Sequence, residues 1–213
     1  FHPYGRPVIG TPESLKRITW EVLSRFYHRW YTAKNMILVL VGNFDSELVK
    51  KDITELFAPL PGHTPPIRHR SVEPLQEQPH LNVAEAPIRQ SHVTIGFHIP
   101  RATERDAPAL DLLAFILGRG ESSRLTQRVK TAQGLVNSIS ASTFTPREPG
   151  LFVIQAKLET GKTMEALRAI LKELYRLREE AVSLSELNRA HVNFLRTFVE
   201  TKETVQGQAR QMG

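Results

Sequence analysis

Eight histidines in a chain of 213 residues pose the first chemical question, because imidazole is the commonest metal ligand and the commonest general base near neutral pH. Spacing answers most of it. No His-x-x-Glu-His, His-x-x-x-His or His-x-His occurs anywhere, so no single helix or strand offers two imidazoles to one ion. His92 and His98 fall on the same face of a predicted strand. At roughly 3.3 Å per residue their Cα atoms stand about 20 Å apart, too far to share a metal. His63 and His69 lie in a proline-rich stretch without an acidic residue at ligand spacing, and His191 sits on a predicted helix beside Asn188 and Leu195. None of them reads as a ligand.

Other catalytic patterns are missing as well. The chain has no Gly-x-Ser-x-Gly elbow and no complete Gly-x-x-x-x-Gly-Lys-Ser/Thr loop. Its lack of cysteine excludes disulfides, Cys-based zinc sites, iron–sulfur ligation and thiol catalysis in this stretch. Gly118-Arg119-Gly120-Glu121-Ser122-Ser123 has the outline of a phosphate cradle. It follows a predicted helix instead of a strand and has no lysine at the P-loop position, so it reads as a tight helix–helix turn. The net charge of +6 is spread over Lys and Arg interleaved with Asp and Glu, the pattern of a solvated surface and not of a nucleic-acid footprint.

The elements that carry these residues follow from periodicity and punctuation. Thr11-Pro12-Glu13-Ser14 supplies a capping hydroxyl, a proline at the first helical position and an acid in the first turn, which predicts a short helix. Thr19 caps a second one, whose Leu23, Phe26, Tyr27, Trp30 and Tyr31 recur at spacings of three and four and predict one buried, aromatic-rich face. Asn35 to Gly42 is a continuous apolar run of strand length, predicting a strand covered on both sides. Asp45 and Ser46 open a helix to Phe57. From Ala58 to His80, Pro59, Pro61, Pro65, Pro66, Pro74 and Pro79 forbid helix interior and sheet centre alike, so residues 58–80 read as a linker.

Beyond it the pattern restarts with strands over Leu81–Glu85 and His92–Ile99, and helices over Ala107–Leu117 and from Ser122 or Ser123 to about Thr131. Strands Val136–Phe144 and Leu151–Leu158 flank a turn at Pro146–Gly150, and two long amphipathic helices follow over Lys162–Glu180 and Ser185–Lys202. The fold class is α+β, with a mainly antiparallel sheet flanked by helices. The longest mostly apolar stretch, Met36 to Val41, falls far short of the roughly 20 residues of a membrane span. The opening on Phe1 and the close on Gln211-Met212-Gly213 read as cut points.

Taken in order, several segments resemble the M16 (pitrilysin-like) zinc metallopeptidase family. His2 to Gly10, HPYGRPVIG, resembles its conserved opening, Asn35 to Gly42 its NMVLVVVGD strand, and Phe57 to Pro61 its FGPLP close. Ala109 to Gly118, then Ser122-Ser123-Arg124-Leu125, then Gly134-Leu135 fall in the family's order. Any one of these runs is weak evidence, whereas their sequence together is strong. The resemblance implies a repeated α/β architecture, with residues 1–57 ending a first half-domain and 81–213 forming most of a second. It also implies that the H-x-x-E-H zinc helix and the third glutamate ligand lie upstream, so that zinc belongs to the parent protein and not to this fragment.

Two further expectations come from the same resemblance. The stretch around Asp111, Ala114 and Phe115 stands where the first half carries its zinc helix, yet offers neither His nor Glu there. Lys130 and Asn137 stand where the family's substrate-clamping Arg and Tyr occur, which makes them degenerate substrate-binding positions without the bidentate fork or the phenol. The implied function is a non-catalytic fragment of a zinc endopeptidase, contributing cavity wall and subunit contacts. Its implied partners are a peptide or protein substrate and a second M16 chain or half, in a bacterial periplasm ahead of a cytoplasm. The alternatives are a structural or partner subunit of an M16-type assembly and, third, a basic nucleic-acid-binding protein.

Overall fold

Alternation of apolar and polar residues produces three strands, β1 (Ser91–Ile99), β2 (Ser138–Phe144) and β3 (Gly150–Leu158). In the computed structural model, which describes residues 2–67 and 73–213, they form an antiparallel sheet in the order β1-β3-β2. Ile95 and Ala141 both stand opposite Ile154 in the register. Because successive side chains alternate faces, Ile95, Ala141, Ile154 and Leu158 share one side, where they meet Leu125 and Ile170 in the main core. The other face is open. Thr94, Gln155 and Ser140 form one exposed row across the three strands, and His92, Lys157 and Ser138 form the next. No carboxylate occupies that face of the three strands. Helices on one face of an antiparallel sheet are the α+β arrangement.

Three helices cover the core side, and a fourth packs behind them on the first. In α4 (Ala107–Gly118) the last residue has to be glycine, since a Cβ there would lie 2.3 Å from the Ala141 backbone nitrogen. After a turn the chain re-enters a helix that runs as π-helix over Thr126–Thr131, where the Ala132 N–H donates to the Gln127 carbonyl at 3.0 Å, five residues back. The other two are α5 (Thr163–Glu179) and α6 (Leu184–Lys202). Phe115 and Ile116 of α4 pack with Ala190 and Phe194 of α6, the two phenylalanines edge to face with centroids 6.0 Å apart.

The chain divides into two compact units, Ala84–Lys202 and Phe1–Val83 with Glu203–Gly213. The unit formed by Phe1–Val83 with Glu203–Gly213 holds α1 (Pro12–Lys16), α2 (Trp20–Trp30), α3 (Ser46–Phe57) and α7 (Val205–Met212), capped by Thr11, Thr19, Asp45 and Thr204 respectively. Only α7 has no counterpart in the sequence reading, which placed 203–213 with the second half. In the same unit, the Ala33 N–H donates to the carbonyl of Pro61 at 3.0 Å.

Two predicted strands and one predicted buried face do not appear. Residues 36–41 and 81–85 enter no ladder with any described residue, and Ile37 and Leu81 are exposed to 82% and 87%. An apolar extended run becomes a strand only when a neighbour pairs its N–H and C=O groups, and no described segment does so here. The aromatic stripe of α2 is likewise uncovered, with Phe26, Tyr27 and Tyr31 all about half exposed. Tyr27 and Tyr31 instead stack on each other at 4.7 Å.

Candidate functional site

The segment from Gly118 to Ser138 contains both residues singled out by the sequence. Lys130 is the penultimate residue of the π-helix; its ammonium is half-buried and lies 3.9 Å from the Glu121 carboxylate. The chain leaves this helix through a left-handed glycine, Gly134 at φ 63°, whose N–H donates to the Lys130 carbonyl at 3.0 Å while the Leu135 N–H reaches the Val129 carbonyl at 3.1 Å. This pair of bonds satisfies the last carbonyls, and Val129 and Leu135, both buried, close the cap. Asn137 then sits exposed at the mouth of β2, its N–H donating to the Lys157 carbonyl at 2.7 Å. The two candidates are joined through the capped turn and β2. No hydrogen bond connects their side chains.

Around them lies a set of ion pairs that sequence reasoning missed. Arg124, buried, forks onto Glu186 with Nε at 2.6 Å and Nη2 at 2.9 Å. The same carboxylate accepts from the Ser183 N–H at 3.1 Å and hydroxyl at 2.8 Å, and the Glu186 N–H returns a bond to the Ser183 hydroxyl at 3.3 Å. The Arg124 guanidinium holds the Glu186 carboxyl down at about 2, and that carboxylate in turn raises Arg124. The serine–glutamate half of this cluster was readable as the Ser-x-x-Glu capping pattern. Its arginine, 62 residues away, was not. A second buried carboxylate, Glu173, accepts from Arg128 at 2.5 Å and from Arg176 at 3.2 Å.

The remaining chemical candidates are occupied by structure. His92 and His98 stand opposite Lys157 and Leu151 near the two ends of β1, and His191 is exposed on α6. His69 lies outside the described residues. In the Gly118–Ser123 turn the Ser123 hydroxyl donates to the Gly120 carbonyl at 2.7 Å and bonds the Thr126 hydroxyl at 2.9 Å, which leaves it turned into the protein. Gly161-Lys162-Thr163 ends a strand-to-helix connection in the manner of a P-loop. There Lys162 donates to the Gly134 carbonyl at 3.2 Å and pairs with Glu159 at 3.5 Å, and the Thr163 hydroxyl donates to the Thr160 carbonyl at 2.8 Å. In α4, Ala114 and Phe115 are core residues and the Asp111 carboxylate accepts from the Thr143 hydroxyl. Among the described residues no three or more His, Asp or Glu side chains gather to hold a metal ion.

With that geometry in hand, the comparisons fall on one group of proteins. The profile of the peptidase M16 inactive domain matches residues 17–192. An uncharacterized zinc protease of Mycobacterium leprae is 28% identical over 187 residues, 87% of this chain and 42% of that protein. A protease from Helicobacter pylori superposes with a TM-score of 0.84 at 21% identity, covering 93% of this chain and 49% of the other. A chain of Complex III2 from Candida albicans does so at 0.78 and 16%, covering 97% and 51%. At such identities the superpositions speak for the fold. The chain spans about half the length of the curated relatives it matches, 42% of one and 50% of another.

Proposed function

The chain belongs to the M16 peptidase family through that family's inactive domain, and on that premise we propose that it forms a non-catalytic wall of a longer zinc endopeptidase. Zinc, the activated water and the general base are supplied by the half of the parent that this chain does not include. What carries the reading is the open sheet face: helices cover one side, and the other presents Thr94, Ser138, Ser140 and Gln155, small or neutral hydrogen-bonding groups, together with His92 and Lys157 and no carboxylate. Such a surface lets an extended peptide pass and pair by hydrogen bonds, with Lys157 disfavouring only a basic side chain directly opposite it. The proposed assembly closes this face with a second M16 chain or half, and residues up to 57 and from 81 onward belong to successive half-domains of the parent.

The experiment is site-specific photocrosslinking in the full-length parent. A photoreactive side chain at Ser140, on the open face, is expected to capture a bound substrate peptide, and one at Arg178, on the helical side, is expected not to. Equal capture at both positions, or capture at Arg178 alone, would sink the reading.

A structural-subunit reading has one observation in its favour, the superposition on a chain of Complex III2. Peptide hydrolysis by the full-length parent with its partner, abolished by a chelator and restored by zinc, decides for the peptidase wall. A folded, partnered parent without hydrolysis decides for the structural role.

A further inference from the structure

A groove of about 330 Å3 runs between the end of the π-helix and α5, lined in part by Arg128, Gln133, Lys172, Glu173 and Arg176. Glu173 forms its anchor. Its side chain is only 5% exposed, and each of its oxygens holds a different guanidinium, Oε2 that of Arg128 and Oε1 that of Arg176. A buried carboxylate of this kind fixes both arginines in place. Yet each guanidinium has five N–H donors and commits only one of them to Glu173. Both arginine side chains remain 38% exposed.

The charge balance is uneven. Lys172, one turn of α5 from Arg176, is exposed and forms no ion pair among the described residues. Among the described residues, the other carboxylate paired with these two arginines is Glu180, 57% exposed and 3.9 Å from Arg176 Nε. Three cations therefore face one buried and one peripheral carboxylate across a concave surface. The rim is held as well, because the Gln133 amide donates to the Arg128 carbonyl at 2.7 Å. Two guanidiniums ordered in advance, with unused donors and excess positive charge, are the requirement for gripping a planar or tetrahedral oxyanion with little ordering cost.

We propose that this groove is an oxyanion-binding site, taking the carboxylates of an acidic peptide or an inorganic phosphate between Arg128, Lys172 and Arg176. The site lies apart from Lys130 and Asn137 in its lining and needs no step of peptide hydrolysis. The test titrates the 213-residue chain with inorganic phosphate and separately with tetraglutamate at constant ionic strength, following arginine Nε–H signals by NMR. The expected result is saturable shifts of two arginine signals, half-complete on the order of 1–10 mM. Lys172→Gln, an exposed change that leaves the fold intact, is expected to weaken binding by about threefold or more. Saturation by phosphate alone supports the site with a free oxyanion as its ligand, and tighter saturation by tetraglutamate supports it with an acidic peptide. Unsaturated drift with both ligands, or saturation unchanged in both Lys172→Gln and Arg176→Gln, overturns the proposal.

Discussion

Arg124 and Glu186 meet as a bidentate pair, Nε to Oε1 at 2.6 Å and Nη2 to Oε2 at 2.9 Å, with the arginine side chain 6% exposed and the glutamate 19%. The pair ties the start of the π-containing helix to the first turn of α6, and Ser183 completes the coordination of the carboxylate. Its strength comes from geometry in a site largely withdrawn from water, where an unmatched guanidinium is costly.

Glu186→Gln leaves that guanidinium facing a neutral amide, and is expected to destabilise the fold by roughly 3 kcal/mol, read from urea unfolding followed by circular dichroism. The pH dependence has a definite sign. The Glu186 carboxyl is lowered from 4.5 to about 2 by the Arg124 hydrogen bonds, so its contribution is fully present above 4.5 and is lost as pH falls through about 2. Between those values the parent chain should lose stability more steeply than Glu186→Gln does. Parallel slopes over that interval would show that the pair does not act through this ionisation.

Gly118 tests the packing of α4 on β2. An added methyl would stand 2.3 Å from the Ala141 nitrogen and 2.8 Å from its Cβ, neither of which is the end of a flexible side chain. Gly118→Ala is expected to cost about 2 kcal/mol or more, because helix and strand must separate. Gly161→Ala serves as the control, since nothing lies within 4 Å of the added atom. Its effect should stay within about 1 kcal/mol of zero. Similar losses for the two would locate the damage in backbone freedom and not in contact.

How far the sequence disclosed all this depended on the range of the interaction. The caps at Thr11, Thr19 and Asp45 and the strands around Ile95, Ala141 and Ile154 were legible, because a cap lies within four residues and alternation within a strand is local. Residues 36–41 and 81–85 had the same apolar, extended character, but a strand exists by virtue of its partner and that partner is not written in the run itself. The π-helix has no residue signature, and the Arg124–Glu186 and Arg128–Glu173 pairs bridge 62 and 45 residues. Lys130 and Asn137 came only from the family resemblance, since neither type nor spacing marks them as a site.

The histidine spacings lead to an expectation about metal. The chain, purified without an affinity tag and dialysed against a weak chelator, is expected to carry well under one zinc per molecule, since a tight site requires about four ligands around one point. Elemental analysis by mass spectrometry reads this directly. Stoichiometric zinc that survives dialysis would mean that the eight histidines assemble in a way their spacing does not suggest.

Lys130 and Asn137 give the last expectation, which concerns the full-length parent together with its partner. Lys130 has a structural reason to be cationic: it lies in the last turn of its helix, where a positive charge opposes the helix dipole, and it stands 3.9 Å from Glu121. Asn137 has a backbone role in starting β2 through the Lys157 carbonyl, and that bond survives any change of side chain. If the pair only borders the substrate cavity, Lys130→Ala and Asn137→Ala should each lower kcat/KM by less than about tenfold, which is roughly 1.4 kcal/mol of transition-state stabilisation. A conservative Lys130→Arg should then gain little, although it restores the fork that grips a carbonyl or carboxylate. A thousandfold loss in either alanine variant with circular dichroism unchanged, or a large gain in Lys130→Arg, would place these side chains in direct contact with the scissile segment. The non-catalytic wall proposed for this domain would then have to be redrawn to include them.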